Sequence, residues 1–185
     1  AAGLGKSPKK DDPHKYEHFH YHCDVLIVGA GVSGLISAEI AANNNYKVLL
    51  IEQEDDLGGE ILSTRNQDIK IDNLPINEWK NKIVDKLSKN SNVKIVKNTT
   101  CFAYLNYNLL LAVQEIDPEK GLYKKNDIKE RIWKIRSKKV ILATGTIERP
   151  IIFNNNDRPG IMLANSVKKY LNKYGVAPGK NLVFF

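Results

Sequence analysis

Three stretches of the sequence predict an α/β fold, with a parallel sheet, helices in its crossovers and an antiparallel β-meander set into it. The first is residues 24–52, where the apolar run Val25-Leu26-Ile27-Val28 passes through Gly29, Gly31 and Gly34 into a helical segment and then a second apolar strand ending at Glu52. The second is a change of texture over residues 100–137, where short β-rich runs follow one another. The third is another apolar strand that runs into Ala143-Thr144-Gly145. Such short runs of β-branched and leucine residues have the composition of strands buried on both faces.

The totals exclude several classes. A chain of 185 residues suffices for one well-buried domain, or one domain and an appendage. Its 42% apolar and 26% charged content is that of an ordinary globular protein. The net charge of +7 comes from lysines scattered among Asn and Ile, without a long basic block. Nucleic-acid binding would call for basic residues clustered on one face among aromatics. Pairs such as Lys124-Lys125, Lys138-Lys139 and Lys168-Lys169 read instead as solvated surface, facing an acidic partner subunit. Residues 25–42 are apolar enough to suggest a membrane span, but their glycines and Glu39 argue for strand, turn and helix. Cys23 and Cys101 form no C-x-x-C, so neither a zinc site nor a redox pair is expected. Two thiols without a secretory signal fit a reducing cytoplasm. The absence of an initiator Met and an end in mid-strand, at Leu182 to Phe185, read as a piece of a longer polypeptide.

Taken in order, residues 1–20 form a polar arm with Pro8, Pro13 and Lys9-Lys10-Asp11-Asp12. His14, His18, His20 and His22 all lie at this end of the chain, and the last three would share one face of a strand. No carboxylate or thiolate set completes a ligand sphere, so no metal site is assigned. Residues 21–185 read as a partial dinucleotide-binding domain. Gly29 allows the turn out of the strand, Gly31 clears room for a pyrophosphate, and Gly34 lets the helix pack close. Val32 and Ser33 lie between them, and the amides of this helix start face the phosphates. A G-x-G-x-x-G alone is weak; strand before it, helix after it and acid downstream supply the context that the motif demands. Glu52 is placed to accept hydrogen bonds from a ribose diol, and its charge disfavours a 2′-phosphate. Glu52→Ala is expected to weaken binding and to leave the fold intact. Gln53 follows it, and Gly58-Gly59 lets the chain pass close over the ligand. The pattern as a whole is that of a Rossmann-like FAD/NAD(P)-binding fold.

Pro75 opens a helix with Ile76, Trp79, Ile83 and Leu87 on one face and Asn73 as a cap nearby. A third strand spans 93–96. The meander comprises 101–105, 109–116 and 131–136, with Tyr104, Tyr107 and Trp133 packing it onto the main sheet and a mobile polar loop over 117–129. The closing strand, 139–145, stands apart from it. A further nucleotide-fold segment begins at about 151, with a helix over 163–174 whose stripe is Val167, Tyr170, Leu171 and Tyr174. Gly175 stops it, and residues 181–185 start another strand.

Fingerprint, Gly-Gly, meander and Ala-Thr-Gly together resemble the two-dinucleotide-domain flavoproteins. More specifically, Ala143-Thr144-Gly145-Thr146-Ile147-Glu148-Arg149-Pro150, Asn155-Asn156-Asp157-Arg158-Pro159-Gly160 and Tyr170-Leu171-Asn172-Lys173-Tyr174-Gly175 resemble the alpha subunit of heterotetrameric sarcosine oxidase. So does the lead-in Tyr16-Glu17-His18 with His22-Cys23-Asp24. That family often has Pro-Ala where this chain has Val32-Ser33, and its alpha subunit carries further domains. The resemblance implies oxidative demethylation of sarcosine, a small amine, in a complex with other subunits and with flavins held largely by or against the beta subunit. It implies NAD in this nucleotide fold, held by Gly29, Gly31, Gly34, Glu52 and Ala143-Thr144-Gly145, with Thr100 and Cys101 offering backbone groups to the adenine. FAD presents the same ADP moiety and stays open as the alternative. So does a non-catalytic scaffold module of another amine or opine dehydrogenase or FAD-dependent oxidoreductase. No catalytic residue is assigned to the segment.

Overall fold

The computed structural model describes residues 5, 7, 9–12, 14–65, 69–116, 128–181 and 183. In chain order its elements are β1 (Lys15–Val28), α1 (Val32–Asn43), β2 (Val48–Ile51), a 3-10 turn (Gly59–Ser63), β3 (Lys70–Ile71), β4 (Leu74–Pro75), α2 (Ile76–Ser88), β5 (Val93–Val96), β6 (Thr99–Leu105), β7 (Leu109–Glu115), β8 (Ile128–Leu142) and α3 (Ala164–Tyr174). A six-stranded sheet runs β5-β2-β1-β8-β7-β6. β5, β2, β1 and β8 are parallel, and β7 and β6 extend the sheet antiparallel. Parallel pairing needs a crossover and antiparallel pairing only a turn, so α1 and α2 lie where the strands are parallel. The predicted α/β class, with its meander, is the class observed.

The sheet has two cores. Val25, Ile27, Val48 and Leu50 pack on one face with Leu35 and Ala38 of α1 and with Trp79, Ile83 and Leu87 of α2. On the other face Leu26, Val28, Leu49 and Ile51 meet Leu110, Ala112, Trp133 and Ile135 of the meander. Strands buried on both sides must be apolar at every position, which is why 25–28 and 48–51 show no alternation. α1 starts so close to the strand that a Cβ on Gly34 would overlap the carbonyl oxygen of Gly29. Gly34→Ala is therefore expected to cost about 2–3 kcal/mol through overpacking, read as a lowered urea midpoint. An unchanged midpoint would show that the turn has slack.

Several expectations are corrected. β1 begins at Lys15, inside the stretch read as a polar arm, because Phe19 and Tyr21 turn inward while His18, His20 and His22 face outward. Phe19 and Tyr21 meet Trp133 edge-on at 4.7 and 5.9 Å, and the Trp133 indole N–H donates to Gln114 at 2.9 Å. Trp133 thus anchors the meander as expected, but Tyr104 and Tyr107 do not, being 52% and 88% exposed. Tyr107 sits in a left-handed turn between β6 and β7. The strands expected separately at 131–136 and 139–145 are one, β8, since no Gly or Pro interrupts Ser137-Lys138-Lys139 and its pairing with β1 continues past them. Near that point the amides of Asp24 and Val25 both donate to the Lys47 carbonyl. The alternation of β1 shifts there, placing Cys23 and Leu26 in the same core. Asn73 is not a helix cap; with Asp72 it forms the two-residue turn between β3 and β4, both at positive φ, a geometry that Asn and Asp tolerate. α2 starts directly after Pro75.

The loop expected over 117–129 and the strand expected over 181–185 fall largely on residues outside those described. α3 ends at Gly175 in the left-handed conformation, as its position predicts. Its apolar stripe stays half-exposed, with Tyr170 at 46%, Leu171 at 44% and Tyr174 at 54%.

Candidate dinucleotide-binding site

The carboxyl ends of β1, β2 and β8 converge on the glycine turn. Gly29 takes a positive φ, its N–H donates to Ile51 O at 2.8 Å, and a Cβ there would overlap the carbonyl oxygen of Ala143. Ala143 in turn donates its N–H to Val28 O at 2.8 Å, so Ala143-Thr144-Gly145 leaves β8 beside the fingerprint. Gly58-Gly59 crosses from the other side: Gly58 N–H donates to Ala30 O at 2.9 Å, and a Cβ on Gly59 would stand 3.1 Å from the Gly31 Cα. At Gly31 itself an added Cβ would meet nothing within 4 Å. The other fingerprint glycines are forced by packing; Gly31 keeps space clear.

Gly31 is the N-cap of α1, without a side-chain cap, and the first intrahelical bond runs from Leu35 N–H to Gly31 O. The amides of Val32, Ser33 and Gly34 precede it, at the positive end of the helix dipole. Glu52, only 7% exposed, points into this turn. Its Oε2 accepts the Ala30 N–H at 2.7 Å and its Oε1 accepts the Glu54 N–H at 3.0 Å. Each oxygen retains a lone pair for a further donor. The acid therefore has a bracing role that the spacing did not disclose, and its removal would strand two backbone donors. Glu52→Ala is therefore expected to cost stability as well as binding.

Gln53 is exposed beside it. The meander enters at the same place, with Thr99 N–H on the Glu52 carbonyl at 2.8 Å, which brings exposed Thr100 and half-buried Cys101 to the acid end of the site. Burial raises the Cys101 thiol and pushes Cys23 up to about 11, so both rest as neutral thiols. Among the described residues no cluster of His, Cys, Asp and Glu is placed to hold a metal, and no helix is long and apolar enough to cross a membrane. Two open clefts of about 370 and 520 Å³ lie elsewhere, along Glu39, Trp79 and Lys86 and along His22, Asp24 and Ser137.

Sequence reasoning missed α3 as a neighbour of the site. Asn172 Nδ2 donates to Ser63 O at 2.7 Å, Lys168 faces Glu60 at 3.7 Å, and Glu148 accepts the Asn165 N–H at the helix start at 2.9 Å. Lys169 and Lys173 both reach Glu54, at 3.0 and 3.1 Å. Their i,i+4 spacing puts them on one helix face, but nothing in the sequence says which acid they meet. The bonds from Lys169 and then Lys173 hold Glu54 below the usual carboxylate range. Burial is the largest influence on Lys173 and works against its charge; its bond to Glu54 and the charges around it together outweigh burial and hold the ammonium above its ordinary value. A depressed carboxylate contributes stability that is present above its unfolded value and lost as pH falls through its folded one. Amide protection over 164–174, taken relative to the unstructured exchange rate at each pH, is accordingly expected to fall once pH drops below the usual glutamate range. Protection that persists unchanged would separate α3 docking from Glu54.

A glycine turn at a helix start, with a strand-end acid bonded into it, makes this a dinucleotide-binding Rossmann-like domain, and residues 27–88 match the family model of the NAD(P)-binding Rossmann-like domain. Along its whole length the chain is homologous to sarcosine oxidase alpha subunits. It is 38% identical to sarcosine oxidase subunit alpha of Corynebacterium sp. (strain U-96) and 40% identical to that of Corynebacterium sp. (strain P-1), each over 98% of this chain. It spans 19% of the length of either relative. The solved structure of L-proline dehydrogenase from P. horikoshii is similar over 93% of this chain and 32% of its own, with a TM-score of 0.67 and 27% identity.

Proposed function

We propose that this chain is the dinucleotide-holding part of a sarcosine-oxidase-like amine oxidoreductase alpha subunit, and that its ligand is NAD. The observation that carries the reading is the Glu52 carboxylate bonded to the Ala30 N–H at 2.7 Å, beside a Gly31 whose side-chain direction is open. In this reading the amides of Val32, Ser33 and Gly34 hold the pyrophosphate, and Gly29, Gly31 and Gly34 let backbone approach it. Glu52 accepts the adenosine ribose hydroxyls, with Gln53 at the rim. Gly58 and Gly59 pass over the phosphates, Ala143-Thr144-Gly145 borders the far side, and Thr100 and Cys101 offer backbone groups to the adenine. When bound, NAD supplies a hydride-accepting ring. This chain's residues bind and orient it, and none is assigned a proton or a covalent step. Oxidative demethylation of a small amine such as sarcosine belongs to the full assembly with its partner subunits. Two free thiols fit a cytoplasmic setting.

The same cradle suits the ADP moiety of FAD, so the test is the identity of the nucleotide. Protein purified without added cofactor is denatured, and the released nucleotide is identified by absorbance and mass spectrometry. NAD without flavin bands is the expected result. FAD would keep the site and replace the ligand. No released nucleotide, together with no calorimetric affinity for NAD or FAD, would overturn the reading.

A further inference from the structure

Lys169 and Lys173 of α3 stand at the ribose end of the proposed site. Their ammonium groups lie 3.0 and 3.1 Å from the two oxygens of Glu54, whose N–H is bonded to Glu52 Oε1 at 3.0 Å. Two cations are therefore held one carboxylate beyond the acid that would carry the adenosine ribose. The Lys173 side chain is only 16% exposed, so its charge depends on that partner more than a surface lysine's would. α3 is also held by Glu148 on the Asn165 N–H and by Asn172 on Ser63 O. Loss of the Glu54 charge would loosen the helix, and these two bonds would keep the lysines near this corner.

A dinucleotide phosphorylated at the adenosine 2′ position would bring a dianion to this corner. Paired ammonium groups are what such a phosphate recruits, through charge-assisted hydrogen bonds. Here both are already engaged. Resting on the dinucleotide reading above, we propose that Glu54 is a specificity-determining residue. By holding Lys169 and Lys173 it withholds them from a 2′-phosphate and, with Glu52, restricts the site to dinucleotides with a free 2′-hydroxyl. α3 thereby becomes part of ligand selection, although it contributes no residue to the fingerprint.

Calorimetric titration with ADP-ribose and with 2′-phospho-ADP-ribose tests this whether the natural ligand is NAD or FAD, because both probes report on the adenosine end alone. The wild-type chain is expected to bind ADP-ribose and to disfavour its 2′-phosphate. In Glu54→Gln, affinity for ADP-ribose should change by less than about threefold, while affinity for the 2′-phosphate rises about tenfold, as freed ammonium groups meet the phosphate. Adding Lys169→Gln and Lys173→Gln to that variant should erase the gain. If Glu54→Gln does not fold, Lys169→Gln with Lys173→Gln carries the test: an uncompensated Glu54 should deepen the discrimination, and an unchanged ratio overturns the proposal. A purely structural role for Glu54 would weaken both probes equally, which also overturns it. Wild-type protein that binds neither probe removes the dinucleotide reading and this inference together; wild-type binding with an unmoved ratio in Glu54→Gln removes this inference alone.

Discussion

Gly31→Val is expected to abolish dinucleotide binding while leaving the fold in place. The backbone at Gly31 is extended, with φ −72° and ψ −171°, a conformation open to a residue with a side chain, and an added Cβ there would meet nothing within 4 Å. The stability cost should be below about 1 kcal/mol, the range of a poor N-cap. The same side chain would occupy the space in front of the α1 amides and exclude a pyrophosphate, weakening binding by two orders of magnitude or more, roughly 3 kcal/mol. Urea unfolding and calorimetry on one preparation separate the two effects. A variant that unfolds easily would mean that Gly31 is a packing glycine like Gly34; one that binds normally would mean that the phosphate lies elsewhere.

Glu52→Ala is expected to fail on both counts. The amides of Ala30 and Glu54 lose their acceptor, and Ala30 is fully buried. Stranding these two donors should cost about 2–4 kcal/mol, and ligand binding should be lost with the ribose acceptor. Glu52→Gln keeps the shape and one acceptor oxygen but turns an amide NH₂ toward a backbone N–H, so it should recover part of the stability. A wild-type urea midpoint in Glu52→Ala would contradict the bracing role.

The fingerprint was legible because its glycines answer to local geometry. A strand that must turn past Ala143, and a helix that must start against Gly29, leave no room for a Cβ, and such constraints show as fixed spacing. α2 was legible for a similar reason, since Ile76, Trp79, Ile83 and Leu87 repeat at helical period and bury one face. β1 hid its first half because one of its faces is wet and carries histidines. Ser137, Lys138 and Lys139 looked like a break in β8, although Lys138 and Lys139 stand at exposed positions of a paired strand and Ser137, which is buried, is small enough to pack within it. The seat of α3 was illegible for a different reason. It docks through lysines and an asparagine rather than through its apolar stripe, and long-range polar pairs leave no periodic trace. Tyr104 and Tyr107 misled because aromatic residues suit core and surface turn alike.

In the proposed complex, backbone amides at the start of α1 grip a diphosphate while Glu52 holds the adenosine sugar. A crystal structure with ADP-ribose tests this arrangement most directly. Phosphate oxygens are expected on the N–H groups of Val32, Ser33 and Gly34, with the diphosphate passing over Gly31 and the ribose hydroxyls on Glu52. ADP-ribose bound elsewhere, or the space in front of Gly31 filled by side chains at saturating ligand, would contradict it.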